Sequence, residues 1–265
     1  MNGMLLTAAM LMATGADAAQ GEGVLSREVC PAKSWVANRA AVEDFLRSAE
    51  VVGVEDVDWG VLNPKKVTLR KGPVQLDAAF KYYTGRNPRT GMWESWEAEI
   101  VAYELDKLLE LDMVPPTVEK RVSGKRGSVQ LWVEDCRLWN DVQGAPAGRA
   151  DWGEFVARMK LFDNLIRNTD RNGQNILIDA DWHPVLIDHS QTLNGGDLLE
   201  GDELPSHFDR ALVERVRALS YDGLKPRLGD LIRDGQIKDI VKRRDKLMEY
   251  LDQLVAERGE TAVYY

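Results

Sequence analysis

Two kinds of periodicity divide this sequence into a strand-rich first part and a helical second part. Between residues 51 and 133, short β-branched or alternating runs are separated by turn residues such as Lys71-Gly72-Pro73. One helical pattern, at residues 94–111, interrupts them. After residue 150, apolar residues recur every three to four positions. The pattern predicts an α+β fold with a small antiparallel sheet, one main helix beside it, and a mainly helical remainder. The strand-like runs are residues 51–54, 66–69, 74–81, 117–122 and 129–133, and further helices are predicted at 40–50, 151–166 and 237–258.

Charge, apolar runs and cysteine count exclude several classes of protein. The formal net charge is −9, which argues against nucleic acid as a partner and against an anionic lipid surface as the substrate. No internal apolar run approaches the roughly 20 residues that a membrane-spanning helix requires. Cys30 and Cys136 are too few for a disulfide scaffold or a four-thiolate zinc site. The length of 265 residues predicts one large domain or two packed lobes.

The N-terminus predicts a signal peptide over residues 1–19. Residues 4–13 (MLLTAAMLMA) are apolar, and a run of small residues with an A-x-A pattern follows. Export to the periplasm or the medium would follow. No basic residue precedes the apolar segment, so an ordinary N-terminal helix of a cytoplasmic protein stays open. If the chain is exported, Cys30 and Cys136 either form a disulfide or remain two buried thiols.

The residues that carry chemistry are concentrated between positions 163 and 188 (DNLIRNTDRNGQNILIDADWHPVLID). Asp170 and Asn175 have the spacing D-x-x-x-x-N in a polar loop, and Asp188 follows the second of two short strands. Phosphoryl transfer requires such groups: an Asp near the accepting hydroxyl, and Asn and Asp oxygens for Mg²⁺. Taken alone, the same residues also suit turns and a helix cap.

The strand-rich part supplies cations that suit phosphate. Lys81 ends the strand at residues 74–81 after Ala78-Ala79-Phe80, where a buried stem can carry its ammonium group to phosphates. Glu99, in the helix at 94–111, flanks the apolar face and can pair with Lys81. Arg70 and Lys71 precede a Gly-Pro turn. We predict them as further phosphate contacts, with a solvated turn as the alternative.

Residues 97–118 (EAEIVAYELDKLLELDMVPPTV) and 163–178 (DNLIRNTDRNGQNILI) resemble the atypical kinases of the secretory pathway, the Golgi casein kinase family. More distantly, they resemble HipA-like and phosphatidylinositol kinases. The resemblance covers about residues 50 to 195. It implies a two-lobed kinase-like fold, with an N-lobe over residues 40–138 and a C-lobe over 150–258.

The resemblance also implies roles for individual residues. Lys81 would contact the phosphates of ATP and Glu99 would hold Lys81. Asp170 would be the catalytic Asp, and Asn175 and Asp188 would bind Mg²⁺ or Mn²⁺. ATP and a divalent cation are therefore the expected cofactors.

The resemblance also predicts a hinge, and this sequence departs from the family pattern at two places. Residues 134–138, with Glu134 and Cys136, would form the hinge that meets adenine. The relatives have a His after Asp-Arg to brace the loop, and this chain has Asn172. His189-Ser190 stand where typical protein kinases have Phe-Gly.

The sequence thus predicts an ATP-dependent phosphotransferase that acts on a hydroxyl acceptor. The resemblance favours Ser or Thr of a protein, while a sugar or another small alcohol stays open. Asn172 leaves room for a nucleotide-binding pseudokinase with a regulatory role, and a HipA-like toxin kinase in the cytosol is a third hypothesis.

Overall fold

The structure is a computed structural model. It describes three stretches of the chain: residues 34–57, 64–142 and 151–265. The predicted signal peptide at 1–19, Cys30 and the connector at 143–150 lie outside these stretches. Export and the Cys30–Cys136 disulfide therefore stay predictions.

An antiparallel sheet of five strands forms the first part of the molecule, in the order β1-β2-β3-β7-β6. All five predicted runs are strands, as the local β-branched pattern indicates. Two short strands, β4 and β5, form a hairpin that the sequence analysis did not predict, because they are only three residues long. The strands so far are β1 (Glu50–Asp56), β2 (Lys65–Lys71), β3 (Val74–Lys81), β4 (Thr84–Arg86), β5 (Trp93–Ser95), β6 (Thr117–Val122) and β7 (Lys125–Leu131).

A second antiparallel sheet follows, in the order β10-β9-β8. It contains β8 (Arg137–Leu138), β9 (Ile176–Ile178) and β10 (Pro184–Leu186). Leu186 N–H donates to Met113 O over 2.8 Å, which ties β10 to the segment that leads into β6. The β9–β10 hairpin thereby delivers the residues after β10 to the end of β3, the middle strand of the first sheet.

Seven α-helices complete the described part of the chain. Among the described residues, none of these helices is both long and apolar enough to cross a bilayer. The predicted helices are found, with ends that differ by a few residues. The helices are α1 (Arg39–Ser48), α2 (Trp96–Leu109), α3 (Trp152–Ile166), α4 (Arg210–Arg217), α5 (Tyr221–Leu228), α6 (Asp234–Arg258) and α7 (Glu260–Val263).

Helix α2 lies between the sheet and the helical part of the molecule. The apolar face of α1 packs with the sheet through Val42, Phe45 and Leu46. The apolar residues of α2, such as Leu105 and Leu109, instead join the hydrophobic cluster of α3 to α6. Helix α2 also contacts β6 and β7, so it is buried around most of its circumference. A charged residue on α2 can therefore face the boundary between the two clusters.

Candidate active site

Three structural elements bring their charged side chains together around Lys81. Lys81 ends β3, and its Nζ lies 2.6 Å from Oε1 of Glu99 on α2 and 2.7 Å from Oδ1 of Asp188 after β10. Burial alone would lower the pKa of Lys81, but the carboxylates of Asp188 and Glu99 outweigh burial and raise it. The ammonium group is therefore charged at neutral pH, and it faces the cleft where we expect phosphate.

Glu99 is held from both sides. Its Oε1 accepts from Lys81, and its Oε2 accepts from the backbone N–H of His189 over 3.1 Å. Burial of Glu99 favours the protonated form, but the charge of Lys81 and the hydrogen bonds from His189 and Lys81 together outweigh burial and lower the pKa of Glu99 to about 2. The carboxylate is thus ionised in the folded protein over the whole physiological range.

Stability should fall as the pH drops below about 5, in part because of Glu99. The pKa of Glu99 is about 2 in the folded chain and 4.5 as the ordinary value. A depressed pKa stabilises the fold above the ordinary pKa, and this contribution disappears as the pH falls from about 4.5 to about 2. At about 1.4 kcal/mol per pKa unit, it amounts to about 3 kcal/mol. Urea unfolding at pH 7, 5, 4 and 3 measures it.

The matched variants are Glu99→Gln and Glu110→Gln, the second at the exposed end of the same helix. The difference in unfolding free energy between wild type and Glu99→Gln should shrink as the pH falls. Glu110→Gln should change the unfolding free energy by much less, because an ion pair on a side chain that is 65% exposed contributes little. If the difference in unfolding free energy between wild type and Glu99→Gln is the same at pH 7 and pH 3, the lowered pKa assigned to Glu99 is wrong.

Hydrogen bonds hold the loop that carries Asp170 and Asn175. Asn175 Nδ2 donates to Asp170 O over 2.7 Å. Asn172 Nδ2 donates to the same oxygen over 2.9 Å, and Asn172 Oδ1 accepts from Gln174 N. Asn172 thus bonds the loop from within, and its effect on activity stays a prediction.

The catalytic loop and the segment after β10 meet at the cleft. Ile187 N–H donates to Asn175 O over 3.1 Å, which sets Asp188 beside the loop. Burial and the negative charge of Asp188 raise the pKa of Asp170. Asp188 has a left-handed backbone with φ of 56°, a conformation that is uncommon outside glycine and typical of functional sites.

An open cleft of about 550 Å³ contains the predicted catalytic groups. Lys81, Asp170 and Asp188 line it together. The complete lining is Pro64, Lys81, Tyr82, Tyr83, Glu94, Trp96, Asp170, Asp188, Ser190 and Gln191.

Glu94 is a site residue that the sequence analysis missed. It was assigned to the start of a helix, but it lies on β5, is 5% exposed, and faces the cleft beside Asp188. The hydroxyl of Ser190 is 3.0 Å from Asp188 Oδ1 and 3.3 Å from Glu94 Oε2. Burial, with added repulsion from Asp188, raises the pKa of Glu94. The only signal in the sequence was an acidic residue between two tryptophans.

Arg70 and Lys71 are not at the cleft, and this part of the prediction is wrong. Lys71 pairs with Val74 at the turn of the β2–β3 hairpin, whereas Lys65 pairs with Phe80 at the end near Lys81. These ends are six residues, about 20 Å, apart. Arg70 bonds Gln75, and Lys71 Nζ lies 2.7 Å from Asp44 of α1. The Gly-Pro turn therefore lies at the wrong end of the strand.

Glu134 and Cys136 lie in the segment that joins β7 of the first sheet to β8 of the second. This segment connects the two sheets, and the predicted hinge would occupy the same place. Its contact with adenine stays a prediction.

The oxygen donors of the cleft fit a hard divalent cation that is shared with phosphate. Asp188 and Glu94 line the cleft with carboxylate oxygens, and Asn175, buried behind Asp170 and outside the lining, offers an amide oxygen; these are the ligands that Mg²⁺ and Mn²⁺ prefer. Within the described ranges, no three His, Cys, Asp or Glu side chains form a ready metal cage. Mg²⁺ in nucleotide sites is held by one or two carboxylates, water and phosphate oxygens. The donor set therefore fits a metal that arrives with its nucleotide.

Comparison with known proteins places the fold. No protein-family model matches the sequence, and neither does any curated protein. Among solved structures, hydra Fam20 with sugar aligns with a TM-score of 0.63 at 15% identity, over 85% of this chain and 91% of that chain. A Golgi casein kinase aligns with a TM-score of 0.60 at 13% identity, over 85% and 79%. The Golgi casein kinase with Mn and ADP bound aligns with a TM-score of 0.61 at 13% identity, over 86% and 79%.

These similarities establish a kinase-like fold. The resemblance to Golgi casein kinases that was stated from residues 97–118 and 163–178 is thereby confirmed as a structural similarity. The mixed α and β character and the antiparallel sheet are confirmed as well.

Proposed function

We propose that this chain is a two-lobed, ATP-dependent phosphotransferase that moves the γ-phosphate to a hydroxyl group, with Ser or Thr of a protein as the favoured acceptor. One observation carries the proposal: Lys81, Asp170 and Asp188, from distant parts of the sequence, line one cleft, and Glu99 holds Lys81 there. The solved structure with Mn and ADP supports a nucleotide and a divalent cation as the ligands of this cleft.

We place the adenine ring beside Lys81, between apolar residues of β3 and of the β9–β10 region. Ala79 precedes Lys81 by two residues on β3, so both side chains lie on the same face of the strand. From the other side, Leu177 and Ile187 pack against the hydrophobic cluster of the sheet. Apolar side chains on either side of the ring and a cation near the phosphates would suit a purine nucleotide.

The charged residues supply positioning and charge neutralisation, which phosphoryl transfer mainly requires. Lys81, held by Glu99, contacts phosphate oxygens of the nucleotide. Asp188 and Asn175 hold the divalent cation, with Glu94 as a further oxygen donor. When bound, that cation neutralises the negative charge that develops on the transferred group.

Asp170 orients the acceptor hydroxyl and takes up its proton. Burial and Asp188 raise the pKa of Asp170, which makes its carboxylate a better proton acceptor than an exposed one. The loop hydrogen bonds from Asn172 and Asn175 hold its backbone in place. The acceptor enters from the open side of the cleft.

The test is turnover of ATP by the purified chain with Mg²⁺ or Mn²⁺. Ser and Thr peptides, a sugar panel and acceptor-free buffer serve as the acceptor arms. Asp188→Ala should lower kcat by about 10²–10³, the cost of removing one electrostatic stabiliser of a transition state. Asp181→Ala, on the exposed turn of the β9–β10 hairpin, is the control and should turn over like wild type.

If wild type and Asp188→Ala are equally inert with every metal and acceptor, the proposal that the chain is an enzyme is wrong. If such inert chains still bind nucleotide, the pseudokinase hypothesis takes its place.

Export is also part of our proposal, and it depends on the sequence of residues 1–19 alone.

A further inference from the structure

His189 lies at the centre of the buried polar groups, and the proposed function does not use its side chain. It is 0% exposed. Its backbone N–H donates to Glu99 Oε2 over 3.1 Å, and its ring Nε2 lies 3.0 Å from Nη2 of Arg171. The residue therefore contacts both the α2 carboxylate that holds Lys81 and the loop that follows Asp170.

The chemistry of arginine determines what the ring can do. A guanidinium only donates hydrogen bonds and stays charged in proteins. His189 Nε2 must therefore accept, which places the ring proton on Nδ1. Nδ1 is buried without a hydrogen-bond partner, and the nearby Glu99 Oε2 lies 3.7 Å away, beyond hydrogen-bond range. The defined contact of the ring is therefore the one that Nε2 accepts from Arg171.

Arg171 connects this ring to the catalytic loop. Its Nε and Nη2 bind both oxygens of Asp163 on α3, at 2.9 and 3.0 Å. Its Nη1 donates to Asn175 O over 2.8 Å and to Ile187 O over 3.1 Å. These two carbonyls belong to a predicted metal ligand and to the residue before Asp188. Side-chain hydrogen bonds therefore link Asp163 through Arg171 to the ring of His189, and the backbone N–H of His189 bonds Glu99.

We propose that His189 is a positioning residue for phosphoryl transfer: in its Nδ1–H tautomer the ring accepts from Arg171 through Nε2, while the backbone N–H of the same residue holds Glu99 beside Lys81. The kinetic part of this inference rests on the proposed function. The competing explanation is an apolar filler, because Phe162 packs edge-on against the ring at 6.1 Å. A filler needs volume only, so a phenylalanine would replace it without cost.

The first test is NMR of the histidine rings in the full chain. The chain has three histidines, so ¹⁵N-histidine labelling yields three ring spin systems, and His189→Gln identifies the one that disappears. We expect the Nδ1–H tautomer at His189, with Nε2 as the unprotonated nitrogen. An Nε2–H tautomer at this residue overturns the proposal, and this readout requires no catalytic activity.

The second test compares two substitutions with different chemistry. Gln places an oxygen where Nε2 accepts from Arg171, whereas Phe keeps the ring volume without an acceptor. His189→Phe should lower kcat at least about tenfold with KM for ATP nearly unchanged, because small misplacements of catalytic groups are costly. His189→Gln should recover most of that loss. The proposal is overturned if His189→Phe has the wild-type kcat, or if His189→Phe and His189→Gln are equally impaired.

The two proposals fail in different ways. If wild type transfers no phosphate, the proposed function fails, and the ring tautomer still decides the role of His189. If wild type is active and the Nε2–H tautomer is found, only the role of His189 fails.

Discussion

Asp170→Asn is expected to lower kcat for phosphate transfer by about 10²–10⁴, the usual contribution of a positioned acid or base. The substitution keeps the size of the side chain and leaves intact the bonds that Asn172 and Asn175 make to the backbone oxygen of residue 170. It removes only the proton acceptor. KM for ATP and the thermal shift produced by ADP with a divalent cation should stay close to wild type.

The control for this prediction is Asp181→Asn, an equal change of charge on the exposed hairpin turn. Initial rates over a range of ATP and acceptor concentrations separate kcat from KM. A variant Asp170→Asn that works at the wild-type rate would assign the proton transfer to another group. Glu94 would then be the next residue to test, because it lines the same cleft.

Asp106→Ala is expected to lower the free energy of unfolding by about 3–5 kcal/mol, the cost of breaking a buried ion pair. Asp106 is fully buried near the end of α2. One of its oxygens accepts from the backbone N–H groups of Met113 and Val114, and the other accepts from Arg39 of α1. Alanine would leave two amides and a guanidinium without this partner. Chemical denaturation of both proteins measures the effect.

Asp112 provides the matched control, because Arg39 also contacts it and its side chain is 39% exposed. Asp112→Ala should cost no more than about 1 kcal/mol, as exposed pairs do. Equal losses for the two variants would contradict the idea that burial sets the difference. Since α2 also carries Glu99, a loosened Asp106→Ala chain should lose catalytic activity at a lower temperature than wild type.

Local pattern was sufficient to predict most of the secondary structure and several candidate site residues. β3 and β6 have the bounds that their β-branched runs indicate, and Lys81 ends β3 as its position in the sequence predicts. Asp170, Asn175 and Asp188 were identified from their spacing. Residue type and spacing are sufficient here because alternation along a strand and turn chemistry in a loop act over only a few residues.

Two errors share one cause. Arg70 and Lys71 looked like phosphate contacts because they are cations at a Gly-Pro turn, and Glu94 looked like the first turn of a helix. The register of the β2–β3 hairpin puts the two cations far from Lys81, and the β4–β5 hairpin puts Glu94 inside the cleft. A turn signal does not say which end of a sheet the turn occupies.

The sequence by itself determined most of the strands and helices and the types of side chain available for phosphate, metal and proton. Only the tertiary structure decided which of them meet, and therefore which charges persist in buried positions. The reason is physical: periodicity is a property of neighbouring residues, whereas the pKa of Glu99 and the tautomer of His189 depend on partners brought close by folding. The acidic chain keeps a charged lysine at its cleft because two distant carboxylates hold it there.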